Sequence, residues 1–212
     1  MEQQWMYILG VIIIIIIVGL IIFAFARWNQ NSCSTIYVNL RDQMRNLWLE
    51  HVYWTREYII ANLEDSCNVK MVAERLLQNQ KDLGKFFAQY FGVNVGNEVE
   101  DLLTEHILIA VDIINAAKTK SHKLDAYIRK WYKNADEIAA ALAGLKVGTY
   151  EELKAMMNEH LYLTIEEVKG RLRGDGSDIL AFEKVRNEIL VMADNLTNGV
   201  ARVQCIKICT VN

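Results

Sequence analysis

An all-α protein, with one N-terminal transmembrane helix followed by an antiparallel helical bundle, is predicted by three features of the sequence. From Met6 to Ala26 there is no charged residue. The 212-residue chain contains no proline, the residue that ends helices and shapes loops. Downstream of the apolar run, apolar residues recur at spacings of three and four, and no stretch alternates long enough to read as a strand.

The first element is the anchor, residues 1–28. Its centre is Val11, the isoleucines Ile12 to Ile17, and Val18. At 1.5 Å per residue the uncharged run reaches roughly 30 Å, one hydrocarbon thickness. Trp5, Tyr7 and Trp28 stand at its ends, where amphipathic rings favour the membrane interface. Ala24-Phe25-Ala26 resembles a signal-peptidase site, but the run is long for a signal peptide and no basic residue precedes it, so an uncleaved anchor is expected. Arg27, Arg41 and Arg45 follow the run, and the positive-inside rule then places the C-terminal domain on the cytoplasmic side.

Residues 29–35 are polar and read as a linker, with Ser34 or Thr35 as an N-cap. The bundle, residues 36–204, is expected as helices near 36–63, 68–91, 95–119, 122–145, 149–173 and 177–204. Breaks fall at Glu64-Asp65-Ser66, Gly92 to Gly96, Lys120-Ser121, Gly144 to Thr149, and Gly174 to Ser177. Thr149 and Glu152 form a capping box. The apolar period slips near Gln78 to Gln80, which predicts a kink there. Residues 205–212 form a tail carrying Cys205 and Cys209, which with Cys33 and Cys67 lie at the edges of the bundle. Two disulfides, or a metal held by the Cys205–Cys209 pair, are both compatible with that spacing.

A Glu-His pair occurs three times, as Glu50-His51, Glu105-His106 and Glu159-His160, with the histidines 55 and 54 residues apart. That is about one helical hairpin, so three helices of the same direction are expected to carry one histidine each at similar height. Each histidine sits on an apolar stripe: Met44, Leu47, His51, Trp54 and Tyr58; Val99, Leu102, His106, Ile109 and Ile113; Leu153, Met156, His160 and Leu163. Three buried imidazoles need either three separate partners or one shared metal. His51, His106 and His160 are therefore candidate ligands, with Glu50, Glu105 and Glu159 as acceptors orienting the rings, and Asp136 as a further ligand or a partner for Arg56. Imidazole ligands suit copper or zinc. The di-iron Glu-x-x-His pattern and the His-Glu-x-x-His string are both missing from the sequence.

Net charge is −3, with basic and acidic residues intermixed, which excludes the basic stripe that nucleic-acid binding requires. The sequence shows no phosphate loop, dinucleotide fingerprint or nucleophile constellation, so enzymatic activity is not expected. Asn195-Leu196-Thr197 is a glycosylation sequon placed mid-helix.

Several strings together carry a resemblance: Leu47-Trp48-x-Glu50-His51-Val52-x-Trp54-Thr55-Arg56, Arg75-Leu76-Leu77-x-Asn79, Thr104-Glu105-His106, Trp131-Tyr132-x-Asn134-Ala135-Asp136-Glu137, and Met156-Met157-x-Glu159-His160-Leu161. Over residues 39 to 200 the chain resembles a group of small uncharacterised helical-bundle proteins of bacteria and large DNA viruses. The resemblance implies a shared bundle fold and carries no activity or catalytic residue with it. Two functions follow as expectations. One is a metal-binding bundle anchored to the lipid bilayer. The other is a non-catalytic membrane scaffold or sensor module, such as a virion membrane component, with structural histidines.

Overall fold

In the computed structural model, residues 2–209 are described, with side chains for all of these except 2, 3, 11, 27–35 and 205–209. The described residues form six helices and no strand: α1 Glu2–Leu63, α2 Val69–Phe91, α3 Val93–Lys118, α4 Leu124–Gly144, α5 Tyr150–Arg173 and α6 Ser177–Cys209. The chain divides into two compact units, Met1–Leu40 and Arg41–Asn212.

The first unit contains the one helical stretch among the described residues that is long and apolar enough to cross a membrane, Gln4–Ala26. None of it is buried against protein. The segment 29–35, expected as a linker, is continuous helical backbone within α1. With no proline or glycine between Arg27 and Leu63, nothing in this stretch forces the helix to stop. The expected N-cap side chains, Ser34 and Thr35, and three of the four cysteines, Cys33, Cys205 and Cys209, lie outside the described side chains. Cys67 is a free, exposed thiol.

The second unit is three helical hairpins in series, α1–α2, α3–α4 and α5–α6. Partners across each hairpin run in opposite chain order, so its two helices are antiparallel: Glu50 with Arg75 and Leu47 with Asn79, Glu105 with Lys130 and Leu102 with Asn134. The histidine spacing extends to the whole core. Met44, Val99 and Leu153 are buried at one level, Val52, Ile107 and Leu161 at another, and Ile59, Ile114 and Val168 at a third. On the returning helices Leu83, Ile138 and Met192 are buried in register, as are Phe87, Leu142 and Leu196. Apolar burial at roughly 25 cal/mol per Å² is the main force holding such a bundle together.

The hairpin turns repeat as well. The residue that reverses the chain has positive φ in all three: Asp65 at 54°, Lys120 at 51° and Gly174 at 69°. One or two residues later a side-chain oxygen accepts a backbone amide. Ser66 Oγ takes Asn68 N (3.2 Å), Ser121 Oγ takes Lys123 N (3.3 Å), and Asp175 Oδ1 takes Ser177 N (3.0 Å). The capping box at α5 is present, with Glu152 N donating to Thr149 Oγ1 and Thr149 N to Glu152 Oε2.

Helix α2 runs unbroken through Gln78 to Gln80. The buried stripe of this helix is Leu76, Asn79, Gln80, Leu83 and Phe87, two of whose members are amides. The slip in apolar period records those buried polar residues. Where α2 crosses α3, Gly84 and Gly96 face each other; a Cβ on Gly84 would lie 2.8 Å from the Gly96 carbonyl oxygen.

Candidate functional site

His51 on α1, His106 on α3 and His160 on α5 are all buried, at 2, 2 and 3% exposure. Helical spacing accounts for this, since each lies three or four residues from the apolar members of its stripe. The rings of His51 and His160 stand with centroids 5.7 Å apart. His51 also meets Trp48 edge-on at 5.5 Å, and His106 packs against Trp131 at 4.9 Å. The indole of Trp131 donates to the His106 carbonyl (3.0 Å), fixing that turn of α3 to α4.

Each ring has its Nδ1 engaged by a polar side chain from the second helix of its own hairpin. His106 Nδ1 pairs with Asn134 Oδ1 at 2.8 Å, and His160 Nδ1 with Glu188 Oε2 at 3.1 Å, both 28 residues downstream. Gln80 Nε2 lies 3.4 Å from His51 Nδ1, 29 residues downstream. In the first two of these pairs the ring N–H donates to oxygen. In the third the amide donates to the ring, and the proton of His51 sits on Nε2.

Proton affinity follows from this burial. Desolvation, the largest effect, holds His51 well below the usual histidine range, and repulsion from protonated His160 and His106 pushes the same way. His106 is lowered to about 3, by burial first and by His160 second, against the raising effect of Asn134. Repulsion between the rings adds to the effect of burial at His51 and His106. Among the described residues, however, no group of three or more His, Cys, Asp or Glu is posed to hold a metal ion.

The glutamates of the Glu-His pairs do not orient the rings. Glu50 pairs with Arg75 at 2.5 Å and Glu105 with Lys130 at 3.0 Å, on the partly exposed seam between helices. Glu159 is exposed and lines a groove between α5 and α6. Asp136 pairs with Lys154 at 3.0 Å on the outside of the bundle, away from Arg56. Adjacent residues on a helix point about 100° apart, and here that angle carries each carboxylate out of the core.

Sequence reasoning missed the residues that do touch the rings: Gln80, Asn134 and Glu188, with Asn79 supporting. The signal was available. Asn79, Asn134 and Glu188 recur with the same spacing, 55 and 54, as the histidines. Asn79 Nδ2 donates to the Leu47 carbonyl (2.9 Å) and Asn134 Nδ2 to the Leu102 carbonyl (3.1 Å), each 32 residues away. Glu188 has no such donor. Its side chain is 9% exposed, and its second oxygen, Oε1, is buried with no hydrogen-bond partner; Oε1 of Gln80 is in the same condition.

A second buried polar cluster lies toward the hairpin turns. Arg56 bridges Glu167 (2.7 Å) and Asp178 (3.1 Å), whose side chains are 1 and 4% exposed. Burial raises Glu167 to about 7, despite the opposing pull of Arg56. The sequon is closed to modification in this fold, because Thr197 is fully buried and donates to the Ala193 carbonyl.

Compared with known proteins, the chain matches no family, no curated sequence and no solved structure.

Proposed function

We propose that this protein is a membrane-anchored helical bundle whose core binds one transition-metal ion, zinc or copper, through His51, His106 and His160. The observation that carries the reading is the buried Glu188 carboxylate with its unpartnered Oε1 beside the histidine centre. A buried carboxylate whose only hydrogen-bonding neighbour is an imidazole carries a large desolvation cost, and a cation among the rings offsets it. Two further features support it. Hydrogen-bonding Nδ1 to a side chain of the next helix is how ligating histidines are held, leaving Nε2 for the metal. Lowered proton affinity at His51 and His106 keeps those rings in the neutral form that ligates.

Coordination requires movement, since the rings are not posed at ligand spacing. It also requires the proton of His51 to leave Nε2. Turning the Gln80 amide over gives its orphaned Oε1 the ring N–H of His51 as a donor, at the expense of the Nε2 bonds to Leu76 and Asn79. All three rings then present Nε2. The metal would supply cross-linking of three hairpins, and Lewis acidity if a coordination position stays open. The anchor fixes this domain to a bilayer, on the cytoplasmic face by the positions of Arg27, Arg41 and Arg45.

The second reading, a scaffold with structural histidines, is favoured by one observation: each Nδ1 already has its own partner. Metal analysis of full-length protein, purified in detergent without a histidine tag, separates the two. The metal reading expects about one zinc or copper per chain, lost when all three histidines are alanine. It also expects added metal to raise the thermal midpoint at pH 7, by RT ln(1 + [L]/Kd), and much less near pH 5. Superimposable melting curves with metal and with chelator at pH 7 leave the scaffold reading standing.

A further inference from the structure

The three hairpins are alike except along one seam. In the first two, the helices are clamped twice: by an ion pair from the Glu-His glutamate to a base 25 residues on (Glu50–Arg75, Glu105–Lys130), and by an asparagine reaching back to a carbonyl (Asn79 to Leu47, Asn134 to Leu102). In the third hairpin both clamps are missing. Glu159 and Lys184 occupy the ion-pair positions, yet no salt bridge joins them among the described residues. Glu188 replaces the asparagine, and a carboxylate has no N–H to donate to a carbonyl. The seam opens instead into a groove of about 380 Å³, lined by Glu159, Lys184, Asn187 and Glu188 among others.

Glu188 is the link between outside and inside. It lines the groove, its Oε2 accepts from His160 Nδ1, and its Oε1 is buried with nothing bonded to it. We propose that the α5–α6 groove is the loading site for the core, where a hydrated divalent metal ion docks against Glu159 and Glu188 before passing to the histidines. This rests on the metal-binding reading above. Glu159, exposed at the rim, attracts the hydrated cation. Glu188 then meets it with the free Oε1 as the ion sheds water, exchanging water oxygens for carboxylate and finally imidazole donors. Neither clamp ties α5 to α6 at this level, unlike the equivalent levels of the first two hairpins.

The test measures loading rate apart from final occupancy, using cobalt(II) as a coloured probe on full-length, metal-stripped protein in detergent. The triple histidine-to-alanine protein serves as the blank for binding elsewhere. Glu159→Gln removes the charge at the exposed rim of the groove. Val191→Trp plugs the groove from an exposed position without touching the core. Both variants should reach the wild-type cobalt stoichiometry at least tenfold more slowly, with unchanged helical circular dichroism. Loading at the wild-type rate by either variant overturns the proposal while leaving the metal core intact. Reduced stoichiometry in Glu159→Gln makes Glu159 a core ligand and likewise overturns the route. If wild-type protein retains no cobalt beyond the blank, the metal reading and the loading site fall together.

Discussion

Asn134 is the residue on which the second hairpin's polar core turns, since one amide holds both His106 Nδ1 and the Leu102 carbonyl. Replacing it with leucine keeps the volume and strands both buried partners. A loss of about 2–6 kcal/mol is expected in urea unfolding, from two unsatisfied groups at roughly 1–3 kcal/mol each. The histidines themselves predict an acid response in protein stripped of metal. His51 and His106 bind protons in the unfolded chain near the ordinary histidine value of 6.5 but in the folded core only far lower, about 3 for His106. The stability these neutral rings contribute is present above about pH 6.5 and is lost as pH falls toward 3. Glu167 runs the other way: raised to about 7 from the ordinary glutamate value of 4.5, it weakens the fold as pH climbs through that interval. Urea midpoints with chelator should therefore fall steeply from pH 6.5 to 4, two histidines outweighing one carboxyl. A flat profile over that range would show the rings to be hydrated and charged. The ring partners left a trace in the sequence, the spacing of Asn79, Asn134 and Glu188, but which residue meets which ring depends on the register across the hairpin. Heptad position told which side chains turn inward, as it did for all three histidines, but not which side chain arrives opposite.

At the level of elements, the helices were legible to within a few residues because their ends carry strong chemistry. Gly174 and Thr149 with Glu152 punctuate a chain that has no proline to confuse the pattern. One element-level expectation failed for a physical reason. Polar composition suggested a linker at 29–35, yet the backbone there is helical, since polarity alone does not break a helix that keeps its backbone hydrogen bonds. Two substitutions probe how the elements are joined. Gly84→Ala places a methyl 2.7 Å from Glu100 Cβ and 2.8 Å from the Gly96 carbonyl, so α2 and α3 must separate. A cost of roughly 1–3 kcal/mol is expected by thermal or urea unfolding. Arg56→Met leaves Glu167 buried without its cation, while Asp178 keeps Arg171 at 3.6 Å, and should cost about 3–5 kcal/mol at pH 8. Much of that loss should be recovered near pH 5, where Glu167 can protonate. An equal loss at both pH values would mean Arg56 acts by packing rather than charge.

For the whole molecule, the division after Leu40 and the wholly unburied Gln4–Ala26 helix predict that residues 1–28 add nothing to the bundle's stability. Deleting them should turn a detergent-requiring protein into one that stays in the supernatant on ultracentrifugation with its helical circular dichroism retained. A truncated chain that pellets or loses helix would place part of the bundle's core upstream of residue 29. The serial hairpin arrangement also sets an order of events during synthesis. Stabilising links within a hairpin span about thirty residues, as between Leu47 and Asn79 or Leu102 and Asn134. Contacts that close in sequence form early, and domains of this kind acquire structure as they leave the ribosome. The first hairpin is complete by Phe91, before His106 has been translated, and His160 follows more than fifty residues after that. The histidine centre is therefore completed late, once α5 has been made, and the nascent chain exposes its first imidazole to the surroundings until α5 docks.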